Sequence, residues 1–331
     1  MKPHGYTRPT EVAAAVALLA GRPDAKALAG GTNLVDLMKL GVERPGLLVD
    51  IARLPLDRVE ETPQGGLLIG ANVRNSDLAD HPLVRERHPV VSRAVLAGAS
   101  GQLRNAATTG GNLLQRTRCL YFQDVSKPCN KRLPGSGCPA RTGVHRDLGV
   151  LGTSEHCVAT HPSDLAVALV AVDAVLHLTG PAGDRTMPLT AFHRLPGSTP
   201  DRETELGPAE LVTAVELPPP PAGARSVYRK VRERASFAFA TCSLAALLTL
   251  RDGRVETVRL AFGALAPRPW RALTAEAALL GEPFTEAAVG AAMDAELAAA
   301  RPLPDNGFKV ALARRIAVRE LGLLATGQEQ R

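Results

Sequence analysis

Hydrophobic positions along the chain switch between helical and strand periods, and the switches mark its elements. The Ala-rich stretch Glu11–Ala20 reads as a helix with Thr10 as its N-cap, and Glu11 at its start argues against a secretion signal. Ala25–Leu28 reads as a short strand running into Ala29-Gly30-Gly31-Thr32-Asn33, and Leu34–Leu40 as a helix ended by Gly41. Leu47–Ile51 and Gly66–Ala71 are strand-like, and Ser76–Asp80 and Pro89–Ala97 are helical.

From Gly98 to about Cys157 the apolar period lapses, and a stretch of that length inside a compact domain is either functional or disordered. Asp164–Val172 then reads as an apolar helix, and Val175–Thr179 and Leu211–Leu217 as strands. Pro218–Pro221 can continue neither a helix nor a central strand, so the main domain boundary is expected there. Beyond it, Ser226–Arg232, Ala240–Leu250 and Arg254–Ala264 predict strands, the last two joined by the hairpin signal Arg251-Asp252-Gly253. Helical patterns follow at Arg271–Leu280, Thr285–Leu297 and Lys309–Leu324. The C-terminal part is therefore expected to be a three-stranded antiparallel sheet with helices on one face.

Composition narrows the function. Hydrophobic residues make up 45% of 331 positions, as in an ordinary globular chain, and no apolar run approaches the ~18 residues that span a bilayer. The net charge of +6 is spread thinly, and aromatic residues are only 3%, which argues against a nucleic-acid partner. Seven of the 39 basic residues are lysines, so a single lysine carries more meaning here than a single arginine.

Four of the five cysteines, Cys119, Cys129, Cys138 and Cys157, fall in the stretch without apolar period. Cys242 lies in an apolar strand and reads as a small buried hydrophobe. Nothing calls for disulfides in a chain of this size. Zinc sites normally use cysteine pairs two to four residues apart, and no such pair exists. An iron–sulfur cluster is wider, takes four thiolates from a wrapping loop, and suits neighbours such as Arg116, Arg118, Lys127, Lys131 and Arg132. Spacing alone leaves cluster, zinc and reduced structural cysteines open; His145, His156 and His161 lie nearby as single histidines rather than a ligand set.

Two loops share a Gly-Gly-plus-Asn form: Gly30-Gly31-Thr32-Asn33 and Thr108-Thr109-Gly110-Gly111-Asn112. Backbone amides at such turns suit a phosphate, although neither loop carries a dinucleotide or P-loop fingerprint.

Taken in order, Leu28-Ala29-Gly30-Gly31-Thr32-Asn33-Leu34, Ile69-Gly70-Ala71, Ala107-Thr108-Thr109-Gly110-Gly111-Asn112, His161-Pro162-Ser163-Asp164-Leu165, Tyr228-Arg229-Lys230-Val231-Arg232 and Ala264-Leu265-Ala266-Pro267-Arg268-Pro269 resemble the FAD-binding medium subunits of the xanthine dehydrogenase and carbon monoxide dehydrogenase family. The resemblance covers essentially the whole chain. Most members lack the cysteine loop; with it, the chain is similar to the FAD subunits of periplasmic aldehyde oxidoreductases, and the flavin subunit of 4-hydroxybenzoyl-CoA reductase has a related insertion.

The resemblance implies an α+β fold. Residues 1–221 would form an FAD-binding domain of the PCMH/vanillyl-alcohol-oxidase type, with two α+β subdomains and a [4Fe-4S] loop at about 115–158. Residues 222–331 would form a C-terminal domain like that of CO-dehydrogenase flavoproteins. FAD would be held by Lys26, Ala27, Leu28, Ala29, Gly30, Gly31, Thr32, Asn33 and Leu34, with Thr108, Gly111 and Asn112 at the pyrophosphate. Asp164 would contact the adenosine side or order the loop beside it, unless it is only a first-turn carboxylate of its helix. Lys230 would lie near the flavin ring, unless it is a solvated strand residue, and Trp270 reads as packing. Cys119, Cys129, Cys138 and Cys157 would ligate the [4Fe-4S] cluster.

The implied complex is a heterotrimer with a molybdenum-cofactor large subunit and a small [2Fe-2S] subunit. Electrons would leave from this chain to an external acceptor. Its location would be periplasmic by co-export on a partner's twin-arginine signal, or cytoplasmic. The chain would need no acid, base or nucleophile of its own. Competing readings are a self-contained flavin oxidase or dehydrogenase of the same fold, and a zinc-stabilised scaffold that binds a nucleotide without redox chemistry.

Overall fold

The computed structural model describes residues 2–328. Its first layer is a small parallel sheet of β1 (Gly5–Thr7), β2 (Ala25–Leu28) and β3 (Leu47–Asp50), in the order β1-β3-β2. β3 is central and every one of its residues is buried, which is why Leu47-Leu48-Val49 carries no polar alternation. The helix Val12–Ala20 begins one residue later than expected. Its N-cap is Glu11 rather than Thr10, without a side-chain cap bond, and that end is exposed so water can take the free amides.

The second sheet is antiparallel: β4 (Val59–Glu61), β5 (Leu67–Gly70), β6 (Val175–Gly180), β7 (Gly183–Pro188) and β8 (Leu211–Leu217) lie in the order β4-β5-β8-β6-β7. β4 and β7 are the exposed edges, and their polar sequences hide them from a search for apolar periods. These two sheets are the pair of α+β units expected of the N-terminal part.

The third sheet corrects the three-stranded expectation. β9 (Arg225–Val231), β10 (Cys242–Arg251) and β11 (Arg254–Gly263) are joined by a two-residue edge strand, β12 (Trp270–Arg271), in the order β12-β11-β10-β9. Two residues are too few to show a period. The β10–β11 turn is Asp252-Gly253 with φ of +52° and +74°, the left-handed pair that a twisted two-residue hairpin needs. The helices Leu273–Leu279, Glu286–Leu297 and Phe308–Thr326 share one apolar core with this sheet. Its other face is also covered, by Pro89–Ala97 and Asp164–Ala171 from the N-terminal part. β10 is thus buried on both sides, which explains its continuous apolar run.

The stretch from Gly98 to Cys157 forms no strand. It holds short helices at Gly101–Ala106, Thr109–Leu113 and Leu120–Gln123 and a tight 3-10 turn at Pro139–Arg141. These are too short for a legible apolar stripe. Among the described residues no helix is long and apolar enough to cross a membrane.

Candidate functional site

The two glycine loops face one cleft of about 540 Å³. Gly30 is required by close approach: a Cβ there would lie 1.9 Å from the carbonyl oxygen of Ala106, at the end of the helix Gly101–Ala106. Gly31 has a φ of +73°, which side-chain-bearing residues rarely adopt. The second loop opens the helix Thr109–Leu113, where Thr108 Oγ1 caps the structure by accepting from the Gly111 amide at 3.3 Å.

Within this cleft the amides of Gly30, Gly31, Thr32 and Asn33 have no protein acceptor among the described residues. The buried Asn33 Nδ2 is also without a partner. Asn33 Oδ1 is used, accepting from the Arg116 amide at 2.9 Å, which fixes the loop to the start of the cysteine stretch. Donors without acceptors at the mouth of a helix, beside a glycine too crowded for a Cβ, fit an anionic diphosphate.

The sequence-expected residues divide by position. Lys26, Ala27, Ala29, Gly30, Gly31, Thr32, Asn33, Leu34, Thr108 and Gly111 line the cleft. Leu28 and Asn112 do not. The Asn112 carboxamide oxygen instead accepts from Ser163 Oγ at 2.5 Å and from Gln115 Nε2 at 2.9 Å, tying the second loop to the helix Asp164–Ala171. Lys26 is half exposed and sits 3.1 Å from Glu43.

Asp164 lines a second cavity, of about 290 Å³, with Arg118, Cys119, Phe239, Thr241, Ser243 and Gly263. Thr160 and His161 line both spaces, so a ligand longer than the cleft can continue into the second. Lys230 is buried behind Asp164, its ammonium 2.8 Å from Asp164 Oδ2 and 3.1 Å from the Ala97 carbonyl. His161, between the two cavities, packs against His193 of the first, with ring centroids 4.3 Å apart and the rings tilted by 57°. Both lie below the ordinary imidazole range because burial disfavours the charged form, His193 at about 4.

Cys119, Cys129, Cys138 and Cys157 line one small cavity with Phe122, Asn130, Lys131, Ala140 and Ala159. The loop around them is built by polar bonds rather than by a large core. Asn130 and Gly137 exchange two bonds, of 2.9 and 2.7 Å. The Arg132 guanidinium donates to the carbonyls of Tyr121, Phe122 and Asp124 at 2.9, 2.7 and 2.8 Å. Cys119, Cys138 and Cys157 lie above the ordinary thiol range because of burial, Cys157 at about 11. Backbone amides of Phe122, Ala140, Val158 and Ala159 act against that rise, as N–H groups aimed at sulfur do. Among the described residues no three His, Cys, Asp or Glu side chains are arranged to hold a single metal ion. Four sulfurs, those of Cys119 and Cys157 buried and those of Cys129 and Cys138 partly so, thus gather around one space of about 10 Å³ with amides and a lysine beside them, a donor set of the type that thiolate-bound centres use.

Cys242 is fully buried, pushed up to about 12 by burial, and takes no part in this loop. Trp270 packs in the C-terminal core and donates from Nε1 to Glu296 at 2.8 Å, as expected of a packing residue. Sequence reasoning missed Lys309. It is fully buried, and its ammonium donates to the carbonyls of Asp147, Leu148 and Ala264 at 2.9, 3.0 and 2.9 Å, all three of which line the second cavity. An isolated lysine at a helix start carries no sequence signal of such a cage.

Comparison with known proteins follows the same division. Residues 2–220 match the family described as the FAD binding domain in molybdopterin dehydrogenase, and residues 226–321 match the CO dehydrogenase flavoprotein C-terminal domain. The aldehyde oxidoreductase FAD-binding subunit PaoB of Escherichia coli is 52% identical over 95% of this chain and 96% of its own. The carbon monoxide dehydrogenase medium chain of Hydrogenophaga pseudoflava is 29% identical over 96% of this chain and 95% of its own. A solved carbon monoxide dehydrogenase from Hydrogenophaga pseudoflava superposes with a TM-score of 0.78 at 30% identity, covering both chains completely. With its paired glycine loops, its two-part fold and these matches, the chain belongs to the FAD-binding subunits of the molybdenum hydroxylase family, and is a subunit of an oxidoreductase.

Proposed function

We propose that this chain is the FAD- and [4Fe-4S]-binding electron-transfer subunit of an aldehyde oxidoreductase. In this reading a molybdenum large subunit oxidises the aldehyde, a [2Fe-2S] small subunit relays the electrons, and this chain passes them to an external acceptor. The three form a heterotrimer that is exported to the periplasm on a partner's signal. The FAD domain ends at residue 221 and the C-terminal domain starts at 222.

The observation that carries the reading is adjacency. Thr117, Lys131 and Ala159 line both the glycine-loop cleft and the cysteine cavity, and Cys119 lines both the cysteine cavity and the second cavity. FAD accepts electrons singly or in pairs and an iron–sulfur cluster singly, so their neighbourhood supplies a relay. The chain's own residues bind and insulate. The amides of Gly30–Asn33 receive the diphosphate, Asp164 and Thr160 line the continuation toward the C-terminal sheet, and Arg132 holds the cysteine loop closed. No proton-transfer residue is needed where the substrate is oxidised on another subunit. The similarity to an aldehyde oxidoreductase subunit over nearly the whole length supports the aldehyde as substrate class.

The complex purified with its partner subunits is expected to reduce an artificial acceptor with an aldehyde, while this chain alone, loaded with FAD, turns over neither aldehydes nor alcohols. Turnover of an alcohol or amine by the isolated chain would establish a self-contained flavin oxidase or dehydrogenase instead.

A further inference from the structure

Lys131 stands in the wall between the glycine-loop cleft and the cysteine cavity and lines both. Its side chain is 6% exposed, and its ammonium is fixed from two sides, 3.0 Å from the Pro200 carbonyl and 2.8 Å from Glu203 Oε1. The other Glu203 oxygen pairs with Arg116 Nε; Arg116 also reaches Glu43 at 2.7 Å, and Glu43 pairs with Lys26 at 3.1 Å. Charges therefore alternate from β2, beneath the first glycine loop, to the cysteine loop. Burial alone would raise Glu203, but the Lys131 ammonium and the Arg116 guanidinium outweigh it and hold the carboxyl below its usual range. By formal charge, the three cations Lys26, Arg116 and Lys131 against the two anions Glu43 and Glu203 leave the network one positive unit.

We propose that Lys131, positioned by Glu203, is a shared electrostatic anchor of both cofactor sites: it tightens dinucleotide binding on one side and raises the reduction potential of the four-cysteine centre on the other. The inference rests on the reading of those cysteines as an iron–sulfur site. A fixed cation in a poorly solvated wall attracts the diphosphate and the anionic sulfur cage alike, and favours the arrival of an electron on the cage from a redox mediator. Lys26, at the far end of the network, is half exposed and lines only the cleft, so its charge is largely screened.

The test is Lys131→Met in the full complex, with Lys26→Met as comparison. Two quantities are read: the FAD dissociation constant of flavin-stripped protein, and the cluster midpoint potential by mediator titration followed by paramagnetic resonance. Lys131→Met is expected to weaken FAD binding at least fivefold. It should also lower the potential by about 40 mV, the one-electron equivalent of fivefold at about 59 mV per decade. Lys26→Met should leave the potential in place. Glu203→Gln, which removes the anion and keeps the lysine, should move the potential upward, and it serves if Lys131→Met does not fold. Iron at wild-type content with an unmoved potential in both Lys131→Met and Glu203→Gln would overturn the inference alone. Wild-type complex without iron would overturn the cluster reading, and this inference with it.

Discussion

Asp164 Oδ2 lies 2.8 Å from the Lys230 ammonium, and the two residues come from opposite halves of the fold. Asp164 opens a helix of the N-terminal part, and Lys230 lies on β9 of the C-terminal sheet. Tyr228, two residues earlier on the same face of β9, donates to Asp164 Oδ1 at 2.5 Å. One carboxylate, lining the second cavity, therefore fastens the two halves together. The Lys230 charge is engaged behind that carboxylate rather than standing free in the cavity.

Breaking one side of this buried pair leaves the other charge uncompensated. Lys230→Met is expected to cost about 3–5 kcal/mol of stability. Asp164→Asn, which keeps the shape and an acceptor, should cost less than Lys230→Met. Chemical denaturation of the purified chain measures both, and equal, negligible losses would show that the pair does not join the halves.

Gly30→Ala would put a methyl group 1.9 Å from the Ala106 carbonyl. Either the first loop or the end of the helix Gly101–Ala106 must move, and the amides facing the cleft move with it. FAD affinity is expected to fall at least tenfold, about 1.4 kcal/mol or more. The ratio of bound flavin to protein after desalting reports it; retention of full flavin would place the diphosphate elsewhere.

Acid should weaken the fold through two buried imidazoles. His88, with the Arg87 charge nearby, and His193, near Glu203 and Arg268, are each depressed to about 4, chiefly by burial. Between the unfolded value of 6.5 and that value, the unfolded chain takes up protons that the folded chain refuses. Stability is therefore present above pH 6.5 and is lost as pH falls, by up to about 3 kcal/mol for each ring. Denaturant midpoints from pH 7 to 4.5 should fall more steeply in the wild type than in His88→Leu. Parallel slopes would remove His88 from the account.

Lys309→Met removes the donor shared by three carbonyls of separate segments. A loss of about 3 kcal/mol is expected, with flavin retention falling because Asp147, Leu148 and Ala264 line the second cavity. Thermal melting and flavin content check both parts.

The sequence showed what rests on period and on special backbone. The helices Pro89–Ala97 and Asp164–Ala171 and strands β2, β8 and β10 were legible because their apolar positions repeat, and both glycine loops because tight approach leaves glycine as the fitting residue. The polar edges β4 and β7 and the two-residue β12 carry no such signal. The four cysteines were identifiable as a group, but that they share a wall with the dinucleotide cleft depends on packing between residues far apart in sequence. The engagement of Lys230 by Asp164 lay out of reach for the same reason, since 66 positions separate them.

The central claim is that a dinucleotide cleft and an iron–sulfur cage lie side by side in this one chain. The most direct measurement is iron, acid-labile sulfide and flavin per chain in anaerobically purified wild type and Cys138→Ser. The wild type should hold about four irons and one FAD, and the variant should lose the iron while keeping most of the flavin. Wild type with flavin and no iron, or Cys138→Ser with undiminished iron, would contradict it.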